Sequence, residues 1–207
     1  MSTAFVTECA TLKLNEQCSL PVIKDILAKC FTIQDGWIAE HDPSLAKDNR
    51  RHTIVYTDNA TKPQVLYFLA SWHSAKHHYE WIATEENRQC GELLKPILSS
   101  EPGAVALLHL HSASREPCFA DITGGEVWHV TRMLVPSAKK AETQQHYQEI
   151  ERSQESQSCW AGWNAELPPE QDEFVVFQSS KLAEETFREV LSLNTSCEKL
   201  TIFATTI

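Results

Sequence analysis

Apolar positions recur along this chain with two periods. Short runs alternate inward and outward residues as strands do, and longer stretches repeat every three or four residues as helices do. In order, the pattern predicts a strand at Ala10–Leu14, then a helix opened by Ser19 and Pro21, with Val22, Ile23, Ile26, Leu27 and Cys30 on one face. Asp35-Gly36 is expected to stop that helix, with strands at Trp37–Glu40 and His52–Thr57. Val65–Trp72 (V-L-Y-F-L-A-S-W) is a strongly apolar strand. Ser74 starts a helix carrying His77, His78, Trp81 and Ile82. Thr84 caps its continuation, which bears a stripe of Cys90, Leu93, Leu94, Ile97 and Leu98. Ala104–Ser112 is the next strand. After a linker at 115–125 the order begins again: strand Glu126–Val135, helix Ala138–Ser153, strands Cys159–Ala165 and Phe174–Gln178, a helix with Phe187, Val190 and Leu191 inward, and a strand from Leu200.

Each half therefore reads β-α-β-β-α-β, the ferredoxin-like unit. A unit with helices on one sheet face must bury the other face elsewhere. The expected fold is α+β: two tandem ferredoxin-like units, residues 1–114 and 126–207, packed sheet to sheet as an intramolecular α+β barrel. Along Ala104–Ser112, Val105, Leu107, His109 and His111 share one face, and Ala106, Leu108 and Leu110 share the other. The expectation is that the histidine face points between the two sheets.

Composition narrows the class. The 207 residues are 42% hydrophobic and 22% charged, as in ordinary globular proteins, and the formal net charge of -10 argues against nucleic acid or an anionic membrane as partner. Cys9, Cys18, Cys30, Cys90, Cys118, Cys159 and Cys197 are odd in number and scattered, with no C-x-x-C. Free thiols in a reducing, cytoplasmic setting are expected. Met1–Lys13 does not read as a signal peptide, and no apolar run approaches the ~20 residues of a membrane span.

The chemistry-bearing residues are mostly imidazoles and indoles. His109 and His111 suit acid–base work near the unperturbed imidazole pKa of ~6.5. As zinc ligands they lack a third ligand at suitable spacing, so no metal is expected. His73, His77 and His78 cluster with Tyr79. Trp72, Trp128, Trp160 and Trp163 are core residues or cavity walls, and Tyr67 lies in the same strand as Trp72. Arg132 interrupts an apolar strand. Facing inward, it would hold a carboxylate or enolate; facing outward, it is a solvated charge. Asn164, on the Trp160 face, is a possible oxyanion donor. There is no G-x-G-x-x-G, P-loop or G-x-S-x-G, which removes support for nucleotide, flavin and serine-hydrolase readings.

The stretch Val65–Asn87 resembles the dimeric α+β barrel superfamily, in its antibiotic-biosynthesis-monooxygenase-like and stress-responsive branches. There a strand ends in Trp, a Ser starts the helix and a His comes within two turns, here Trp72, Ser74 and His78. Leu108-His109-Leu110-His111 is also similar. The second half keeps the element order but not the motif, and the whole resembles tandem single-chain fungal members. The resemblance implies a cavity for a small apolar substrate and no cofactor. It suggests cyclisation, isomerisation or dehydration of a polyketide- or terpenoid-like intermediate, alternatively cofactor-independent oxygenation of anthrone-type phenols, alternatively a non-catalytic or stress-related barrel. His109, His111, His78 and Arg132 would be catalytic. Trp72, His73, Tyr67, Trp128, Trp160 and Asn164 would bind substrate. The chain would be a monomer or homodimer.

Overall fold

The computed structural model describes residues 5–45, 52–58, 64–114, 127–154, 158–167, 172–193 and 196–204. The expected linker at 115–125 and Cys118 lie outside them. Eight strands, β1 (Val6–Lys13), β2 (Thr53–Asp58), β3 (Val65–Trp72), β4 (Val105–Ser112), β5 (Val127–Val135), β6 (Cys159–Asn164), β7 (Asp172–Ser179) and β8 (Ser196–Ala204), close into one barrel in the order β1-β3-β2-β8-β5-β7-β6-β4. Read within each half, this is β4-β1-β3-β2 followed by β8-β5-β7-β6. The same antiparallel ferredoxin-like sheet thus occurs twice, joined at two seams. The β4–β6 seam has three residue pairs, extended by Ala113 N–H donating to Ala161 O and Ala165 N–H to His109 O, both 2.8 Å. The β2–β8 seam has two pairs, Tyr56–Ala204 and Thr57–Phe203.

Closure gives each strand an inner and an outer face. Tyr56, Leu69, Leu110, Trp128, Val130, Trp160, Val175, Phe177 and Ile202 meet inside as one buried cluster. The middle of the barrel is packed by these side chains. Gly162 allows the β4–β6 seam to close over it: a Cβ there would stand 2.8 Å from Leu110 Cβ and from Trp160 Cη2. Outside, α1 (Leu20–His41), α2 (Ala75–Ile82) and α3 (Glu85–Leu94) cover the first sheet, and α4 (Lys140–Ser153) and α5 (Arg188–Ser192) cover part of the second.

Two expectations are corrected here. The first helix does not stop at Asp35-Gly36, and Trp37–Glu40 is its last turns rather than a strand. Gly36 has open space where a Cβ would lie and sits within the helix, while Trp37 and Ile38 continue the buried stripe of Ile23, Leu27, Cys30 and Phe31. Buried area outweighs the roughly 1 kcal/mol that a helical glycine costs. The second correction concerns β4. Leu108 and Leu110 face the barrel interior, so the opposite face, with Leu107 and His109, lies under the helices. The larger apolar pair took the core.

No described helix is long and apolar enough to cross a membrane.

Candidate functional site

Ser74 accepts a hydrogen bond from His77 N–H at 3.1 Å and starts α2 two residues after β3 ends. Side chains on a helix lean toward its N-terminus, so His78 folds back over the end of β3. Its ring stacks on Trp72 at 4.5 Å and 15°. Trp72 is fully buried and donates its indole N–H to Glu8 Oε2 at 2.7 Å. Glu8 stands on the outer face of β1 among Val6, Ala10 and Leu12, and Oε2 lies 3.3 Å from His78 Nε2. The other nitrogen of His78, Nδ1, is 2.8 Å from His109 Nε2. His109 is itself 0% exposed. Its Nδ1 lies 3.1 Å from Glu166 Oε1, close but without the alignment of a hydrogen bond. Glu166 lies just after β6. It accepts from the Tyr79 hydroxyl at 2.6 Å and from His109 backbone N–H at 3.2 Å. The second unit thus reaches across the tight seam and completes a chain anchored in the first.

The succession of contacts Glu8, His78, His109, Glu166, Tyr79 leads from the interior to the surface, where Tyr79 is 47% exposed. Burial pushes the Glu8 carboxyl up to about 7, opposed by the Trp72 hydrogen bond. Burial, then the neighbouring His109, His52 and His77 rings, push His78 down to about 3. At the outer end burial raises Glu166, but the Tyr79 and His109 contacts outweigh it and hold the carboxyl low. Near neutrality the chain therefore has a proton-storing carboxyl inside, neutral His78 in the middle and a carboxylate outside. Shifting one proton along it only exchanges imidazole tautomers.

His73 belongs to a neighbouring group, with Nε2 at 2.9 Å from Asp42 Oδ2 and 3.0 Å from Ser44 Oγ; His77 Nε2 is 3.6 Å from the same carboxylate oxygen. His111 shares the outer face of β4 but is exposed and apart from His109. Arg132 and Asn164 face inward at one end of the barrel, both committed to Glu173: the guanidinium Nε at 2.8 Å and Nη2 at 2.7 Å, the amide at 2.7 Å. Trp128 and Trp160 are core. Tyr67 packs against that core and lines a cavity on the second unit's side. The structure therefore brings His78, His109 and Trp72 together, ties Asn164 to them only through its Oδ1, which accepts from Glu166 N–H at 2.9 Å, and separates the other candidates from them. Glu8 and Glu166 are functional candidates that the sequence pattern does not single out. A lone carboxylate among Val6, Ala10 and Leu12 is the one signal available for Glu8; Glu166, in a loop, has none. Among the described residues no group of three or more His, Cys, Asp or Glu is disposed to hold a metal.

No family model matches the chain, and no curated protein matches it by sequence. Solved structures do. A presumed monooxygenase from Fusobacterium nucleatum superposes with a TM-score of 0.63 at 7% identity, covering 100% of this chain and 94% of that one. A presumed monooxygenase from Lactobacillus acidophilus NCFM gives 0.57 at 12% identity, covering 96% and 93%. An anthrone oxidase-like protein gives 0.56 at 10% identity, covering 100% and 94%. The likeness is one of fold. It extends over whole chains, so the barrel of two ferredoxin-like units is an architecture these proteins share.

Proposed function

We propose that the chain is a cofactor-free enzyme that takes a proton from a small, apolar, hydroxylated aromatic substrate and lets the carbanion react with dioxygen. The observation that carries this is the 2.8 Å contact between two buried imidazoles, set between a buried and a surface carboxyl. Lining up four ionisable groups, three of them buried, is a poor way to stabilise a fold and a direct way to move a proton. The substrate meets the chain at its exposed end, Tyr79 and Glu166. Its proton passes to the Glu166 carboxylate and from there to His109 Nδ1, the Nε2 proton of His109 passes to His78 Nδ1, and the Nε2 proton of His78 to the ionised form of Glu8. For an anthrone-type CH2 group the balance is CH2 plus O2 giving C=O plus H2O. The names of the structural neighbours, presumed monooxygenases and an anthrone oxidase-like protein, support the reading as analogy. A group such as Glu8, with its pKa near 7, returns a proton as readily as it takes one. This favours, as a second reading, isomerisation, dehydration or ring closure of a polyketide- or terpenoid-like molecule by the same chain.

An oxygen electrode separates the two. With anthrone as substrate and no added metal or flavin, oxygen uptake is expected, and His109→Ala is expected to lower it by ~10²-fold or more. Product formation without oxygen uptake selects the second reading. A rate unchanged in a folded His109→Ala protein removes the chain from catalysis.

A further inference from the structure

Between the second unit and the β2 and β3 strands of the first lies a cavity of about 610 Å³ that the histidine chain does not touch. It lies beside the β2–β8 seam, which has the fewest pairs among the described residues. Below Tyr56–Ala204 and Thr57–Phe203 the described residues of β2 and β8 make no further pairs, and β8 continues paired to β5 alone. The gap joins inner-face residues, Tyr67 and Leu200, to outer-face residues, His129, Thr131, Gln178 and Thr201. Leu182 and Leu191 roof it. Gln178 Nε2 fastens that roof by donating to Leu182 O at 3.3 Å and Ala183 O at 3.0 Å.

We propose that this cavity is a second small-molecule site, which binds a neutral, hydroxylated aromatic molecule of two or three fused rings. The size falls within the range of small-molecule sites, ~300–1,000 Å³. Leucines and the Tyr67 ring supply the faces for a flat apolar body. The polar groups are hydroxyls, an amide and an imidazole, with His129 Nδ1 already 3.0 Å from Thr201 Oγ1. Such groups orient a phenol. Asp58 and Glu198 outnumber Lys199 in the wall, and on a chain of formal net charge -10 this excess of acid disfavours a carboxylate or phosphate ester. The site stands or falls independently of the catalytic reading above, because binding here requires neither oxygen nor His109.

The test is NMR of the whole chain with 13C-labelled leucine methyls, titrated with 2-naphthol and separately with 2-naphthoate. The methyls of Leu182, Leu191 and Leu200 are expected to shift with 2-naphthol, with a Kd on the order of 100 µM to 1 mM for so small a ligand, and 2-naphthoate to bind at least about tenfold more weakly. Thr131→Trp, which fills the cavity, is expected to abolish the shifts. His129→Ala, at an exposed position and therefore safe for folding, is expected to weaken 2-naphthol by about tenfold, the loss of one oriented hydrogen bond. Unmoved leucine methyls, equal binding of naphthol and naphthoate, or undiminished binding in a folded Thr131→Trp or His129→Ala protein would each overturn the proposal. Oxygen uptake without these shifts would leave the catalytic reading intact and remove this one.

Discussion

On the outer face of the first sheet, Trp72 is the last outward residue of β3, paired with Val6; on the second sheet its counterpart is Gln178 of β7, paired with His129. One step along, Glu8 is flanked by Ala70 and His109, and Thr131 by Val176 and Lys199. The same positions in two copies of one sheet thus carry Glu8, Trp72 and His109 in one unit and Thr131, Gln178 and Lys199 in the other. The segment after the third strand of each unit decides their environment. In the first unit α2 and α3 run from Ala75 to Leu94 and lay His78 and Trp81 over the sheet. In the second the described residues form only a 3-10 turn at Glu184–Phe187 and the five residues of α5, and residues 196–199 of β8 stay exposed. Helical cover converts polar sheet residues into a buried, pKa-shifted chain. Its lack leaves room for a ligand.

The sharpest way to break this comparison is to truncate the two matched residues. Trp72→Ala removes a fully buried indole and strips Glu8 of its hydrogen-bond donor, so a loss of about 3–5 kcal/mol is expected in urea unfolding. Gln178→Ala removes two hydrogen bonds to carbonyls beside an open cavity and is expected to cost about 1 kcal/mol. Equal costs would mean that the two faces are equally packed and that helical cover is not what distinguishes them.

The seams show the same contrast and give the next largest effect. At β4–β6 a methyl group on residue 162 would meet Leu110, Trp160 and the carbonyl of His111 at 2.8–3.0 Å. Gly162→Ala is expected to cost about 1–3 kcal/mol by overpacking, read as a lower urea midpoint with an unchanged slope. Because Leu110 and His109 are consecutive, the same substitution is expected to disturb the alignment of His109 with Glu166. Tryptophan fluorescence and His109 ring NMR signals shifting together would show that the seam holds the chain in register. A stable Gly162→Ala protein with unmoved signals would show that it does not.

How far the sequence reveals this arrangement depends on which physical pattern carries it. Alternation within Val65–Trp72 and Ala104–Ser112, and the repetition of element order, are enough for the α+β barrel, since period 2 and period 3.6 are local properties. Which face of Ala104–Ser112 turns inward is not local. Both faces carry leucine, and the choice rests on whether Leu108 and Leu110 or Leu107 and His109 fit beside Trp160 and Ile202, residues far away in the chain. Trp72, Ser74 and His78 are legible because one strand end and one helix start bring them together. Glu166 is not, because it reaches His109 only after the barrel closes. Arg132 is visible as an anomaly, but its partner Glu173 emerges only once β7 is set beside β5.

Counted per pH unit, a further and gentler effect separates the two faces by pH. His78 is pushed down to about 3 and His52, also by burial, to about 4, both from about 6.5. Between pH 6.5 and 4.5 the unfolded chain therefore binds two protons at these positions that the folded chain does not, and their contribution to stability, complete above pH 6.5, is lost as pH falls. Glu8 works in the opposite sense. Raised from 4.5 to about 7, it is protonated in the folded protein throughout this window and ionised in the unfolded one, so its contribution grows as pH falls from 7 to 4.5. From these three groups the unfolded state binds one more proton, and stability is expected to fall by about 1.4 kcal/mol per pH unit. Glu8→Gln keeps an acceptor for Trp72 but removes the opposing proton, so the fall should steepen toward about 2.7 kcal/mol per pH unit. His78→Phe, which keeps the stack on Trp72, should flatten it. Urea midpoints at pH 6.5, 5.5 and 4.5 for the three proteins decide the matter: a slope insensitive to Glu8→Gln would show that Glu8 is ionised where it stands, and the first face would then lack the proton store that distinguishes it from the second.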